Sequence, residues 1–373
     1  MSEVVNQCCC SKNTEVQKTA CCSGKKVRQS WITGYINTKA GEIPVIQTVL
    51  SPSDLMGLVR MRIGVGRSSY RIEPGLYASG KPDENSPVLV TANYKMTFDL
   101  LRRELSGKNL WIMVLDTKGI NVWCAAGKGT FGTEELLKRI NMTELANIVS
   151  HRELVLPQLG APGVSAHEVK KKSDFKVIYG PVRAKDIPVF LDSGMKVSPE
   201  MRRVRFNLID RLCMTPVEIT GSVKITLIAL IISLLTGGLG KGGFSFPGAL
   251  SEGGKEFLFY LSALLCGTVI TPILLPWIPS RAFSIKGAIT GIIVLSGLIQ
   301  IFRDTSSPWY GGFYFLPWFL IIPAISSFFA MNFTGSTTYT SLSGVMKEVK
   351  IALPVQIFLT VTGLILLIIS HFT

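Results

Sequence analysis

From residue 223 to the C-terminus the chain is almost free of charge, and this constrains its fold more than any other feature. Five apolar stretches follow one another there, 223–239, 257–278, 282–302, 310–333 and 351–370, each about long enough to cross a bilayer as a helix. Residues 221–373 hold 8 Lys+Arg and 4 Asp+Glu, whereas residues 1–220 hold 31 and 21. Two halves so different in polarity belong in different solvents. The 373-residue chain is therefore expected to divide into a polar tail (1–29), a water-soluble domain (30–212) and an all-α transmembrane bundle of about five helices (213–373). Gly237, Gly238, Gly240, Gly242 and Gly243 leave the end of the first stretch ambiguous.

The charge that remains near the apolar stretches is lopsided. Arg202, Arg203, Arg205, Arg211, Lys224, Arg281, Lys286, Lys347 and Lys350 fall on one side, and Lys241, Lys255 and Arg303 on the other. Basic residues stay on the cytoplasmic side, so the N-terminal domain is expected in the cytosol and the C-terminus outside, in a multi-pass cytoplasmic-membrane protein with lipid as its surroundings. The net charge of +14 does not point to nucleic acid. No basic run is interleaved with the aromatic side chains that a single-strand binder needs.

Of the eight cysteines, Cys8, Cys9, Cys10, Cys21 and Cys22 lie in the polar tail, Cys124 in the soluble domain, and Cys213 and Cys266 in or near the apolar part. No apolar core segment precedes them, so the tail is expected to be disordered, in a reducing cytosol, with thiols free or metal-binding. Clustered thiolates are the ligands that soft metal ions prefer.

Between the tail and the apolar part, short apolar runs alternate with amphipathic ones. Residues 88–92, 110–115, 154–156 and 176–179 read as strands, with order beginning near Trp31. Met96, Leu100, Leu101 and Leu105 are spaced as one helix face; Thr133, followed by Glu134 and Glu135, opens another helix that faces Leu136, Leu137, Ile140, Leu145 and Ile148 inward. This rhythm predicts a mostly parallel sheet with helices on both faces and a ligand site at the carboxyl ends of its strands.

The chemistry-bearing segment is Asn121-Val122-Trp123-Cys124-Ala125-Ala126-Gly127-Lys128-Gly129. A single cysteine stands at a strand-to-helix crossover, followed by small residues that admit a bulky planar ligand. Amides of a following helical turn favour a thiolate there, and a thiolate is a metal ligand. The bland alternative is that Cys124 is a small buried hydrophobe. A second pattern overlaps: Gly127-Lys128-Gly129-Thr130-Phe131-Gly132 fits the dinucleotide fingerprint G-x-G-x-x-G, with Glu153 as a ribose partner, provided that residues 121–124 form a strand.

Together with Thr91-Ala92-Asn93-Tyr94-Lys95-Met96-Thr97-Phe98-Asp99, Pro157-Gln158-Leu159-Gly160-Ala161-Pro162-Gly163-Val164 and Tyr179-Gly180-Pro181-Val182, this segment resembles the signature of the mercury-methylation corrinoid family HgcA. The relatives of that family are the corrinoid domains of acetyl-CoA-pathway iron-sulfur proteins. The resemblance covers roughly residues 30–210, and the family's membrane tail matches the apolar stretches. It implies an α/β Rossmann-like corrinoid-binding domain that holds a cobalamin-type corrinoid base-off, with Cys124 as catalytic residue and lower axial ligand of cobalt. By the same resemblance Val122 and Trp123 pack on the ring, Thr91 and Thr97 reach it from a strand–helix turn, and Gln158, Leu159, Ala161, Gly163 and Val164 line its edge. Asn93, Asn121, Ala125, Gly127 and Lys128 complete the implied contacts.

The function implied is a corrinoid-dependent methyltransferase that passes a methyl group to Hg(II). The implied partners are a methyl-folate-dependent methyltransferase and a small ferredoxin with two iron-sulfur clusters (HgcB). The sequence agrees in having no D-x-H-x-x-G motif to supply a histidine ligand and no C-x2-C-x2-C spacing for a cluster of its own. His151, His167 and His371 read as structural. Two other functions compete: a membrane-tethered corrinoid methyl carrier of a one-carbon pathway, and a transporter with a nucleotide-binding regulatory domain.

Overall fold

The structure, a computed structural model, describes residues 29–67, 69–302, 312–336 and 342–372. The expectations for the tail and its five cysteines, and for Arg303, fall outside these residues.

The first strands are β1 (Ile32–Thr38) and β2 (Gly41–Ile46), a hairpin, followed by helix α1 (Pro52–Arg62) and β3 (Gly75–Ser79). Next come β4 (Val88–Ala92), α2 (Lys95–Arg103), β5 (Leu110–Leu115), α3 (Val122–Gly127), α4 (Thr133–Met142) and α5 (Leu145–Ile148). Strand β6 (Glu153–Leu156), α6 (Ala166–Ser173), β7 (Lys176–Tyr179) and α7 (Ile187–Asp192) complete the series. One seven-stranded sheet results, in the order β1-β2-β3-β5-β4-β6-β7. The block β5-β4-β6-β7 is parallel throughout, as the rhythm of the sequence predicts. The sheet as a whole is mixed, because β3 runs antiparallel to β5 and adds the hairpin beyond it.

Strands β4 and β5 are buried at every position, as expected of parallel strands covered on both faces. Their side chains alternate between two cores. Val88, Val90, Met113 and Leu115 join Leu136, Ile140 and Val169 from α4 and α6, while Leu89, Ile112 and Val114 join Phe98, Leu101 and Phe190 from α2 and α7. The chain leaves β4 toward β5 on one side and returns past it to β6 on the other. Strand β4 is thus the switch point, where a crevice opens at the carboxyl ends.

Helix α2 is fixed beside that crevice by a buried charge network. Arg102 is fully buried; its Nε donates to Asp99 (2.9 Å) and Nη1 to the Gln47 carbonyl (2.6 Å), and Nη2 lies 2.7 Å from Asp54 in charge contact. Lys95 bridges Asp54 (2.7 Å) and Asp99 (2.6 Å). Burial works against ionisation of Asp54, but hydrogen bonds from Lys95, Ser51 and Arg102 outweigh it and hold its carboxyl well below the usual carboxylate range.

Past the sheet, α8 (Leu208–Leu212) and α9 (Thr215–Gly221) lead into α10 (Val223–Gly238), α11 (Phe246–Leu265), a π-helical turn (Cys266–Ile270) and α12 (Thr271–Leu274). Three long helices follow, α13 (Phe283–Phe302), α14 (Gly312–Asn332) and α15 (Leu342–Ser370). Among the described residues, four segments are long and apolar enough to span a membrane: Phe246–Leu274, Phe283–Ile301, Phe315–Asn332 and Gly344–Ser370. The first of the five expected spans falls short. Helix α10 has 16 residues, about 24 Å at 1.5 Å per residue, and it reaches spanning length only with the preceding pair of short helices, from which it is bent by 54°.

Small residues let these helices touch backbone to backbone. A Cβ on Gly237 would stand 2.0 Å from the Gly253 nitrogen, and one on Gly287 2.6 Å from the Ser326 carbonyl. Several buried polar groups find partners inside. Glu256 on α11 is fully buried, meets His371 Nε2 at 2.7 Å and accepts from Thr236. Lys286 donates to the Leu275 and Ile278 carbonyls (2.5 and 2.7 Å), so this cation, counted in the sequence as a topology signal, closes the end of α12.

Two outcomes are expected. A carboxyl with a depressed folded pKa stabilises above its unfolded value and loses that stabilisation as pH falls through it. Wild-type protein should therefore lose stability below about pH 4, and Asp54→Asn should destabilise it by about 3 kcal/mol at neutral pH while weakening that acid dependence. Urea unfolding followed by tryptophan fluorescence across pH checks both. Gly253→Leu should separate α10 from α11, read as loss of crosslinking between engineered cysteine pairs across that contact.

Candidate functional site

The crevice is a cleft of about 250 Å³. Its walls come from the carboxyl end of β4 (Thr91), the first turns of α2 (Met96, Thr97), the start of α3 (Asn121, Val122, Trp123), the end of β6 and the segment after it (Leu156, Pro157, Leu159), and the segment from β7 to the start of α7 (Gly180, Pro181, Val182, Ala184, Ile187). No titratable side chain is among the described lining residues. The cleft offers apolar surface, two threonine hydroxyls, an amide and an indole, which suits it to holding a broad, flat ligand rather than to acid–base chemistry.

Asn93 builds the wall that carries the thiol. Its Oδ1 accepts from the Thr117 amide (3.1 Å), the Thr117 hydroxyl (2.9 Å) and the Gly119 amide (2.9 Å), and its Nδ2 donates to Asp116 (3.2 Å). Lys118 and Gly119 take positive φ inside this turn. Burial opposes the charge of Asp116, but Lys118 outweighs it and holds the carboxyl low. Asn121 then caps α3 by accepting from the Cys124 amide at 2.9 Å. Helix α3 has two faces. Val122, Ala125 and Ala126 are buried in the core, while Trp123, Cys124, Gly127 and Lys128 are exposed.

The facing wall is set by close approach. A Cβ on Gly163 would lie 2.1 Å from the Phe131 carbonyl and 3.0 Å from Ala126 Cα; one on Gly160 would lie 2.5 Å from the Phe131 ring. These glycines bring the segment after β6 against α3. Tyr179 donates to the Val164 carbonyl (2.7 Å) and the Ser165 amide to Thr133 (2.8 Å), which fix the far end. Gln158, between the lining residues Pro157 and Leu159, has a buried Oε1 with no hydrogen-bond partner among the described residues.

Of the residues singled out from the sequence, Thr91, Thr97, Asn121, Val122, Trp123 and Leu159 come together in the cleft. Cys124, the exposed neighbour of Trp123, is not among the lining residues and sits inside the first turn of α3 rather than ahead of it. Gly127 and Lys128 lie on the same exposed face, and Ala161 borders the segment after β6. Asn93, Ala125, Gly163 and Val164 serve the scaffold: Asn93 is committed to the turn, and the others to packing.

Residues 121–124 are not a strand, so the glycine run from Gly127 to Gly132 follows a helix and lacks the strand–turn–helix setting of a dinucleotide fingerprint. The wall after β7 begins in the segment 179–182 that carries part of the resemblance, though none of its residues is among the implied contacts. Among the described residues no three His, Cys, Asp or Glu are grouped to hold a metal ion, and His151 bonds to the Ser86 carbonyl (2.9 Å) and the Glu153 amide (3.2 Å).

Asn93→Ala should cost about 2 kcal/mol, since it strands the buried Gly119 amide while Thr117 keeps the Leu115 and Ile120 carbonyls, and should speed hydrogen exchange at Gly119. Asn121→Ala removes a single cap and should cost about 1 kcal/mol. Denaturation and exchange measured together separate the two.

Comparison with known proteins singles out the same part of the chain. Residues 13–191 match the family model described as CO dehydrogenase/acetyl-CoA synthase delta subunit (CdhD). The gamma subunit of the acetyl-CoA decarbonylase/synthase complex from Methanopyrus kandleri is 31% identical over 170 residues, 44% of this chain and 36% of that one. Its counterpart from Methanocaldococcus jannaschii is 34% identical over 127 residues, covering 34% and 26%. The corrinoid/iron-sulfur protein large subunit of Moorella thermoacetica is 30% identical over 127 residues, covering 34% and 28%. The matched part spans about a third of these relatives, or less. Residues 13–191, which include the sheet and the walls of the cleft, are thus similar to the CO dehydrogenase/acetyl-CoA synthase delta-subunit family and to subunits of acetyl-CoA-forming complexes.

Proposed function

We propose that this chain is a corrinoid-dependent methyltransferase held in the cytoplasmic membrane, with its α/β part in the cytosol, and that Hg(II) is the acceptor of its methyl group. The observation that carries the reading is the exposed Cys124 thiol beside cleft-lining Trp123, within the segment 121–128 that resembles the mercury-methylation corrinoid family HgcA. The similarity to a corrinoid/iron-sulfur large subunit over 127 residues supports the cofactor class.

The residues present fit such a group. The cleft is mostly apolar with no charged side chain in its lining, and Gln158, between two lining residues, has a buried Oε1 without a partner among the described residues, an acceptor suited to a side-chain amide of the ring. Thr91 and Thr97 offer hydroxyls, while Val122 and Trp123 offer an apolar surface. When bound, a corrinoid would supply cobalt as the carrier of the methyl group. Cys124 would hold that cobalt, its thiolate giving more charge than an imidazole does. Asn121 holds that cysteine through its backbone, which leaves the sulfur free. Without a cluster motif of its own, the chain needs a separate low-potential electron donor, proposed to be a small ferredoxin with two iron-sulfur clusters (HgcB). A methyl-folate-dependent methyltransferase is proposed as the methyl source.

Relatives include a subunit of an acetyl-CoA decarbonylase/synthase complex and a corrinoid/iron-sulfur protein large subunit, which favours as a second reading a methyl carrier of a one-carbon pathway. Methylmercury formation by cells with and without this chain and its ferredoxin decides between them. Cys124→Ala should leave unfolding within about 0.5 kcal/mol, because the residue is exposed. It should abolish methylmercury formation and shift the visible spectrum of the oxidised cobalt toward a water-ligated form. Cys124→His should give little or no activity. Parent-level methylation with an unchanged spectrum in either variant would overturn the assignment of Cys124.

A further inference from the structure

Helix α1 shows one face to the protein and a different one to solvent. Asp54, Gly57 and Met61 are buried, whereas Leu55, Met56 and Val59 are 51%, 61% and 55% exposed. At 100° per residue these three, with Ile63 just past the helix, form a stripe opposite the buried face. Arg62 and Arg60 flank the stripe on its two sides, both exposed. An exposed apolar stripe bordered by arginines is the pattern of a helix that lies in a lipid headgroup layer.

The place of this helix in the fold names the occupant. Its C-terminal end is tied to the root of the membrane part: the Thr220 hydroxyl donates to the Ile63 carbonyl at 2.5 Å, and a Cβ on Gly64 would touch Thr220 and Val217. Thr220 stands three residues before α10 begins at Val223. The next residues outward, Val65 and Arg67, are exposed as well, and Arg67 acts electrostatically on Glu218 of α9.

We propose that α1 is an interfacial anchor, with Leu55, Met56 and Val59 in the cytosolic leaflet and Arg60, Arg62 and Arg67 among anionic headgroups. The α/β part is then held to the bilayer at a second point besides the chain connection. This inference rests on the reading of α11, α13, α14 and α15 as membrane spans, and the experiment contains a separate check of it.

Full-length protein is placed in nanodiscs containing phosphatidylglycerol, with a photoreactive benzoylphenylalanine at Val59 or, in a second protein, at Ile293. Both sites are exposed, so both variants should fold. Irradiation should give a lipid adduct at each, and Arg60→Gln together with Arg62→Gln should reduce the yield at position 59 and leave that at 293 unchanged. Adduct at 293 without adduct at 59 overturns the anchor and leaves the membrane reading intact. No adduct at 293 overturns the membrane reading itself. Capture of a protein instead of lipid at 59 in native membranes assigns the stripe to a partner and also overturns the proposal.

Discussion

A buried side-chain amide stands between the sheet and everything the cleft presents. Asn93 sits one residue past β4, and by receiving two backbone amides and a hydroxyl from residues 117–119 it substitutes for the hydrogen bonds that this turn has lost by leaving the sheet. The turn needs left-handed residues at Lys118 and Gly119, and it has no apolar side chains of its own to pay for them. Once it is fixed, Asn121 falls where it caps α3, and α3 falls with Val122 and Ala125 in the core. A six-residue helix has little stability by itself. Its existence depends on that sequence of contacts, and so does the direction in which Trp123 and Cys124 face.

The central strands were legible because their physics is local. Residues 88–92 and 110–115 are continuous apolar runs of strand length, and Leu101 and Leu136 repeat at helical spacing beside them. Strands β1 to β3 were not. In β1 burial alternates between half-covered and exposed positions, since it is the outer strand of an added hairpin, and β3 contains the weak formers Gly75 and Ala78; both are set by pairing with distant partners that no local window holds. The same limit affected the site. The motif at 121–128 marks the thiol, but that Asn93 holds the turn, and that Gly163 packs closely on Phe131 and Ala126, depend on residues far along the chain. The wall after β7 escaped because apolar residues in a loop have no periodicity to read.

The apolar half shows a related division. Hydropathy marks the long helices, and it also marks α10, whose 16 residues fall short of a bilayer without the bent segment before it. Composition does not register what polar groups do inside. Glu256 and His371 are 115 positions apart and look like stray polar groups, yet they tie α11 to the residue that follows α15. Lys286 likewise looks like a topology marker and serves to hold two carbonyls. In a low-dielectric bundle such groups are tolerated when paired, and each pairing fixes a helix neighbour more sharply than apolar contact can.

The glycines around α3 differ in what surrounds them, and this gives the helix a built-in ruler. At Gly163 an added methyl meets backbone on two sides, so substitution there reports on packing before it reports on anything bound. At Gly127, on the exposed face of α3, an added Cβ meets no protein atom within 4 Å, and the backbone has no left-handed constraint. Side chains of increasing size at 127 therefore cost the polypeptide itself almost nothing. The size at which occupancy first falls measures the clearance between the helix and whatever lies over it.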